Sequence, residues 1–182
     1  MKGSKKAPAG SLLPLPIPNG LWQDISTNFT TNHPLSNCFG SILIVINQFS
    51  KETVFISCNK TVMALDIAML YLHCVWKNHR LPWSIVSDCG PQFASQVMQN
   101  VCKHLGITFN LSTAYHPQID EQTEWINQDL QQYLCMFCPE KQDKWSDWLP
   151  ITQFLYNLKI LASSKKAPFK VTCSYVLRMG VE

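Results

Sequence analysis

Regular alternation of hydrophobic and polar positions begins only at Leu21. Residues 1–20 hold Pro8, Pro14, Pro16 and Pro18. Prolines at that density favour extended backbone and leave no face to bury, so the segment reads as a linker. Trp22, Ile25 and Phe29 then predict a first strand with Asn28 near its middle. Residues 41–47 read SILIVIN, a continuous β-branched run that fits a strand covered on both faces. Residues 52–57, ETVFIS, predict a third strand, and the short connection 48–51 predicts a hairpin between the two. Strands one to three are therefore expected as antiparallel neighbours.

The period then changes to that of a helix. Val62, Leu65, Ala68, Met69, Leu72, Val75 and Trp76 recur at helical spacing, with Thr61 as the expected N-cap. Residues 84–87, SIVS, predict a short buried strand ending at Asp88, and Gly90-Pro91 a turn. A second helix is expected over 94–105, with Val97, Val101 and Leu105 inward and Gly106 as its stop. Residues 107–111 give a fifth strand and 112–120 a loop around His116-Pro117. A third helix is expected over 121–137, with Ile126, Leu130, Leu134 and Phe137 on one face, and a fourth over 145–158. The order β-β-β-α-β-α-β-α-α predicts an α/β fold, a mixed five-stranded sheet flanked by helices.

Composition narrows the class. The chain has 182 residues, 46% hydrophobic and 15% charged, which suits one globular domain. No apolar run approaches the roughly 20 residues of a membrane span. No secretory signal pattern is seen, so an intracellular protein is expected. A net charge of +3 is compatible with DNA but does not by itself point to it. The eight cysteines are expected as free thiols. Cys135 and Cys138 form a C-x-x-C pair with no second pair and no spaced histidines, so no zinc site is expected.

Two acids stand where chemistry usually forms. Asp88 follows a buried strand directly, at the strand end where α/β sites gather. Glu124 falls in the first turn of the third helix, 36 positions on, and the intervening helix and strand can return it to Asp88. Hard divalent cations take such oxygen ligands, and two-metal phosphoryl transfer needs them. Spacing alone leaves the plainer alternative open, because acids in a first helical turn also suit the helix dipole.

The wording around these acids is more specific. The segments PLPIPNGLWQDIS, SILIVINQFSK, LPWSIVSDCGPQFAS, LGITFNLSTAYHPQIDEQTEWINQDLQQYL and WSDWLPITQFLYN resemble the integrase catalytic core of Ty3/gypsy-type long-terminal-repeat retrotransposons. The resemblance covers about residues 11–175. It implies a ribonuclease-H-like fold over 21–175, with 176–182 as a tail. It implies Mg²⁺ or Mn²⁺ as cofactor, DNA as partner and a DDE set of metal-binding acids. In this chain Asp88 matches the second acid and Glu124 the third. The first acid position holds Asn28. By the same resemblance Gln92, Tyr115, His116 and Gln118 face DNA, and Asn127 and Gln128 are candidates for phosphate contact.

Other departures lie near the motifs. Cys89 stands where Arg is usual, Glu121 for Gly, Trp125 for Arg, and Asn47 for Asp. Asp24 is the one acid that could stand in for Asn28, but four residues of strand put it about 13 Å away, and a strand-edge acid in solvent is the plainer reading. Trp22, Trp145 and Trp148 are read as core. The resemblance also implies flanking zinc-binding and C-terminal domains that this sequence does not hold, so a core piece is expected. A nuclear protein and a homodimer are expected from the family. An integrase core impaired by Asn28 is the leading reading. A non-catalytic binding module and a non-functional remnant stay open beside it.

Overall fold

The computed structural model describes residue 18, residues 20–88, 90, 93–111, 117–138 and 142–174, with only the backbone for 117–123 and 142. Five strands form one sheet in the order β3-β2-β1-β4-β5. They are β1 (Asp24–Thr30), β2 (Ser41–Asn47), β3 (Thr53–Cys58), β4 (Ser84–Ser87) and β5 (Thr108–Leu111). The β1–β2 and β2–β3 pairs are antiparallel, whereas β1–β4 and β4–β5 are parallel. This is the expected mixed α/β sheet.

Strand β2 shows why its sequence is apolar throughout, because every one of its residues is buried. Leu43 and Val45 pack into one core with Ile25, Ile67, Tyr71, Ile85, Met98 and Cys102. Ile42, Ile44 and Ile46 pack into a second core on the opposite face with Ile126, Leu130, Leu134, Leu149 and Tyr156. The helices divide accordingly. On the first face lie α1 (Ala64–Tyr71), continued by a π-helical turn over Leu72–Trp76, and α2 (Gln96–His104). On the second lie α3 (Pro117–Phe137) and α4 (Trp145–Leu158). A short α5 (Pro168–Cys173), absent from the sequence reading, follows.

Four local expectations need correction. Thr61 is not the N-cap of α1: the helix starts at Ala64, where the Asp66 carboxylate accepts the Met63 N–H at 3.2 Å. Helix α2 buries Met98 and Cys102, while Val97 is 51% exposed. Two stripes with a four-residue repeat run one position apart in this helix, and the one containing Cys is the inward one. Helix α3 begins at Pro117, four residues before the expected start. The stripe expected on α1 is turned as well: Leu65, Met69 and Leu72 are exposed, and Ala64, Ile67, Ala68 and Tyr71 face the core. Helix α4 lies at its expected bounds, and Ile126, Leu130 and Leu134 are buried on α3.

Gly106 ends α2 in the left-handed region, at φ +70°. A Cβ there would meet nothing within 4 Å. Gly106→Ala is therefore expected to cost about 1–2 kcal/mol purely from backbone conformation. Urea unfolding measures it, and a neutral substitution would show that the turn relaxes.

Candidate functional site

The site is built from the middle of the sheet outward. Parallel pairing aligns Thr27 of β1 with Ser87 of β4. Asn28 and Asp88 are the next residues along each strand direction, so they occupy neighbouring positions just past the end of the β1–β4 pairing, about 5 Å apart along the pairing direction. Side chains alternate along β1. Ile25 and Phe29 go to the first core. Asn28 and Thr30 therefore share the face that α3 covers. There the Thr30 hydroxyl donates to Asn127 Oδ1 at 2.8 Å. Glu124 lies one helical turn before Asn127 on α3 and is exposed. Thus α3 carries the third candidate over the strand end that carries the other two.

The candidates differ in electrostatic setting. Asp88 is half-buried, and burial pushes its carboxyl above the usual range, opposed by the Gly90 N–H that donates to Oδ1 at 3.1 Å. Asn28 is neutral, and its side-chain oxygen accepts the Phe29 N–H at 2.8 Å. A raised carboxyl pKa means the fold disfavours the charged form. That penalty is fully present above the folded pKa and vanishes as pH falls below the unfolded value. Asp88→Asn, measured in chelator, is therefore expected to melt higher than the parent at neutral pH. The gap should close as pH drops toward about 4, the ordinary aspartate value. An unchanged or lower melting temperature at pH 7 would contradict this.

The remaining sequence candidates separate cleanly. Gln92, Tyr115 and His116 lie outside the described residues. Gln118 lies in α3, where only the backbone is described. Asn127 is half-buried and its side-chain oxygen is tied to Thr30, and Gln128 is exposed. Asp24 does not face solvent freely. It is half-buried at the far end of β1, and its carboxylate accepts the Ser84 hydroxyl at 2.5 Å. Asn47 also lies at that far end, paired with Ile25, and serves the hairpin: its amide donates to Ser50 Oγ at 2.7 Å, and its oxygen accepts the Phe49 N–H. Its departure from Asp therefore does not touch the site. Trp22 and Trp145 are core at 3% exposure each, while Trp148 is 41% exposed and stacks on Phe137. Thr30 was missed by sequence reasoning. Its only signal was its place two residues after Asn28, on the same strand face.

A divalent cation would find two carboxylates here, on Asp88 and Glu124, and one amide already engaged by a backbone N–H. Among the described residues no group of three His, Cys, Asp or Glu side chains is placed to hold a metal ion. Asp88 and Glu124 are hard oxygen donors of the type such a cation takes, and with Asn28 neutral the set is one carboxylate short of three.

Known proteins resemble this arrangement. The family model described as integrase core domain matches residues 16–117. The chain is 28% identical over 174 residues to the transposon Tf2-3 polyprotein of Schizosaccharomyces pombe, covering 96% of this chain and 13% of that polyprotein. The Tf2-4 polyprotein of the same organism matches equally. The chain thus spans about one eighth of the length of these relatives. Among solved structures, the simian T-cell lymphotropic virus intasome in complex with PP2A regulatory subunit B56 gamma superposes with a TM-score of 0.72 at 20% identity, covering 94% of this chain and 62% of that one. The HTLV-2 integrase catalytic core domain in complex with magnesium gives 0.64 at 17%, covering 82% and 95%. These two likenesses speak for the fold, which is ribonuclease-H-like. The family match spans more than half of the sequence and includes both β1 and Asp88, and on it this chain belongs to the integrase core domain family, as an integrase catalytic core of the long-terminal-repeat retrotransposon type.

Proposed function

We propose that this chain binds DNA as the core of a retrotransposon integrase and that its phosphoryl-transfer chemistry is impaired. The observation that carries the reading is the register that sets Asn28 beside Asp88 under the helix bearing Glu124. Asp88 and Glu124 would hold Mg²⁺ or Mn²⁺, as the DDE resemblance implies. When bound, such a cation lowers the pKa of a water or hydroxyl nucleophile and neutralises charge on the phosphate. The chain's own part is to present two carboxylates, to fix α3 over β1 through Thr30 and Asn127, and to offer amides at Asn127 and Gln128 to phosphate oxygens. Asn28 offers no negative charge, and its oxygen is turned to Phe29. That observation favours a second reading beside the first, a DNA-binding module that has lost turnover.

The test is disintegration of a branched DNA in Mg²⁺ and in Mn²⁺, beside a salt titration of DNA binding. Salt-sensitive binding with at most trace turnover is expected. Robust turnover that depends on Glu124 would overturn the impairment, and no binding at low salt would overturn the DNA reading. Work on chromosomal DNA also implies a nuclear location. A homodimer is what the resemblance implies, and the exposed Leu65 and Met69 on α1 are apolar surface it could use. Among the described residues no helix is long and apolar enough to cross a membrane.

A further inference from the structure

The sheet ends at β5 on one side, and among the described residues no strand pairs with its outer edge. The Thr108 N–H donates to the Trp83 carbonyl at 2.8 Å, so Thr108, and with it Asn110, turns its backbone toward β4. The alternate residues turn theirs the other way. The Phe109 N–H and carbonyl and the Leu111 N–H therefore point to the open edge, at the two-residue repeat by which a further strand would bond. A groove of about 460 Å³ lies along this edge, with Gln99 and Lys103 of α2 as its other wall. Phe109 and Leu111 are half-buried against the first core and give the groove an apolar side. Neither α2, QVMQNVCKH, nor β5, TFNL, holds an acid. Lys103 is exposed and forms no ion pair among the described residues, so it makes the groove net positive.

We propose that this groove receives an extended peptide of acidic character, which adds a sixth strand at β5 and sets a carboxylate against Lys103. The inference is separate from the DNA reading and uses none of the acidic site. An edge strand is a ready template for pairing with another chain. A strand added there takes its affinity from main-chain hydrogen bonds and its specificity from alternate side chains. Here those side chains would meet Phe109, Leu111 and the ammonium group. That asks for apolar residues and one acid on the same face, at a period of two. A nucleic-acid backbone suits the edge less well, because the Phe109 carbonyl would turn partial negative charge toward its phosphates. A second copy paired edge to edge would bring another Lys103 and no acid.

A displayed library of random heptapeptides, selected on the full chain, tests this. The selected peptides are expected to alternate apolar residues and to carry at least one Asp or Glu. Each is then synthesised with a single backbone N-methyl group at successive positions. Affinity should fall about tenfold at every second position, because only one edge of an added strand bonds to β5. Lys103→Glu should weaken the acidic peptides about 2- to 5-fold, as loss of an exposed ion pair does. A fresh selection on that variant should turn toward Lys and Arg. Lys103 is exposed, so the variant should fold as the parent does, which circular dichroism checks. Bound peptide should also slow amide exchange at Phe109 and Leu111. A selection without enrichment overturns the proposal and leaves the DNA reading standing. Peptides whose N-methyl sensitivity has no period of two, or whose affinity Lys103→Glu leaves unchanged, overturn it as well. Slower exchange at Phe109 and Leu111 with a DNA duplex and with no peptide would mean that DNA covers the edge. The same slowing on raising the protein concentration alone would mean that a second copy does. Either result overturns the proposal.

Discussion

Asn28→Asp should raise metal-dependent disintegration by about a thousandfold, the factor that roughly 4 kcal/mol of restored transition-state stabilisation delivers. A carboxylate has two oxygens where the amide has one. One of them can keep the Phe29 N–H that Asn28 now accepts at 2.8 Å, and the other is left for a cation. The new charge would sit beside Asp88, whose carboxyl burial already disfavours. Without metal the variant should therefore melt lower than the parent. With Mg²⁺ it should recover, because a ligand that binds only the folded state stabilises it. The parent should show little such shift. Adding Glu124→Gln should abolish the gained activity. A folded, DNA-binding Asn28→Asp protein that stays inactive in both Mg²⁺ and Mn²⁺ would show that Asn28 is not what limits the site.

The second large effect is on stability. Strand β3 ends the sheet on one side, and its backbone would lack partners there but for α4. Asn157, fully buried, bridges Thr53 in both directions: its Oδ1 accepts the Thr53 N–H at 2.9 Å and its Nδ2 donates to the Thr53 carbonyl at 2.8 Å. Gln153, one turn earlier, accepts the Phe55 N–H at 2.9 Å. Asn157→Leu keeps the volume but leaves two buried backbone groups unpaired. The expected loss is about 2–4 kcal/mol, or roughly 5–15 °C in melting temperature for a chain of this size. Gln153→Leu strands one group at a partly exposed position and should cost less. Equal melting temperatures for the parent and Asn157→Leu would mean that water replaces the bridge.

Much of this architecture was legible because hydrophobic period reports burial directly. The SILIVIN run fitted a strand covered twice, and it is one. What stayed hidden depends on partners far along the chain. The inward face of α2 turned on whether valine or cysteine and methionine pack, which spacing alone does not decide. Asn47 looked like a departure in the site until the register put it at the other end of β1, next to Ile25. Asp24 looked solvent-exposed because its partner, Ser84, lies 60 residues away. For the site, resemblance placed Asn28, Asp88 and Glu124. It took the strand register to set the first two side by side, and the bond between Thr30 and Asn127 to bring α3 over them. The groove beside β5 has no signature in a single sequence, because only the sheet order shows that β5 is an edge.

The Asn157 bridge also bears on how the chain is made. It joins residues 104 positions apart, so β3 leaves the ribosome long before the amide that will cover it. At about 5–20 residues per second, that interval lasts on the order of 5–20 s. For that time a nascent, strongly apolar hairpin presents open hydrogen-bonding groups to whatever is near. Production of this protein should accordingly depend on chaperone supply and growth temperature more than its finished stability would suggest.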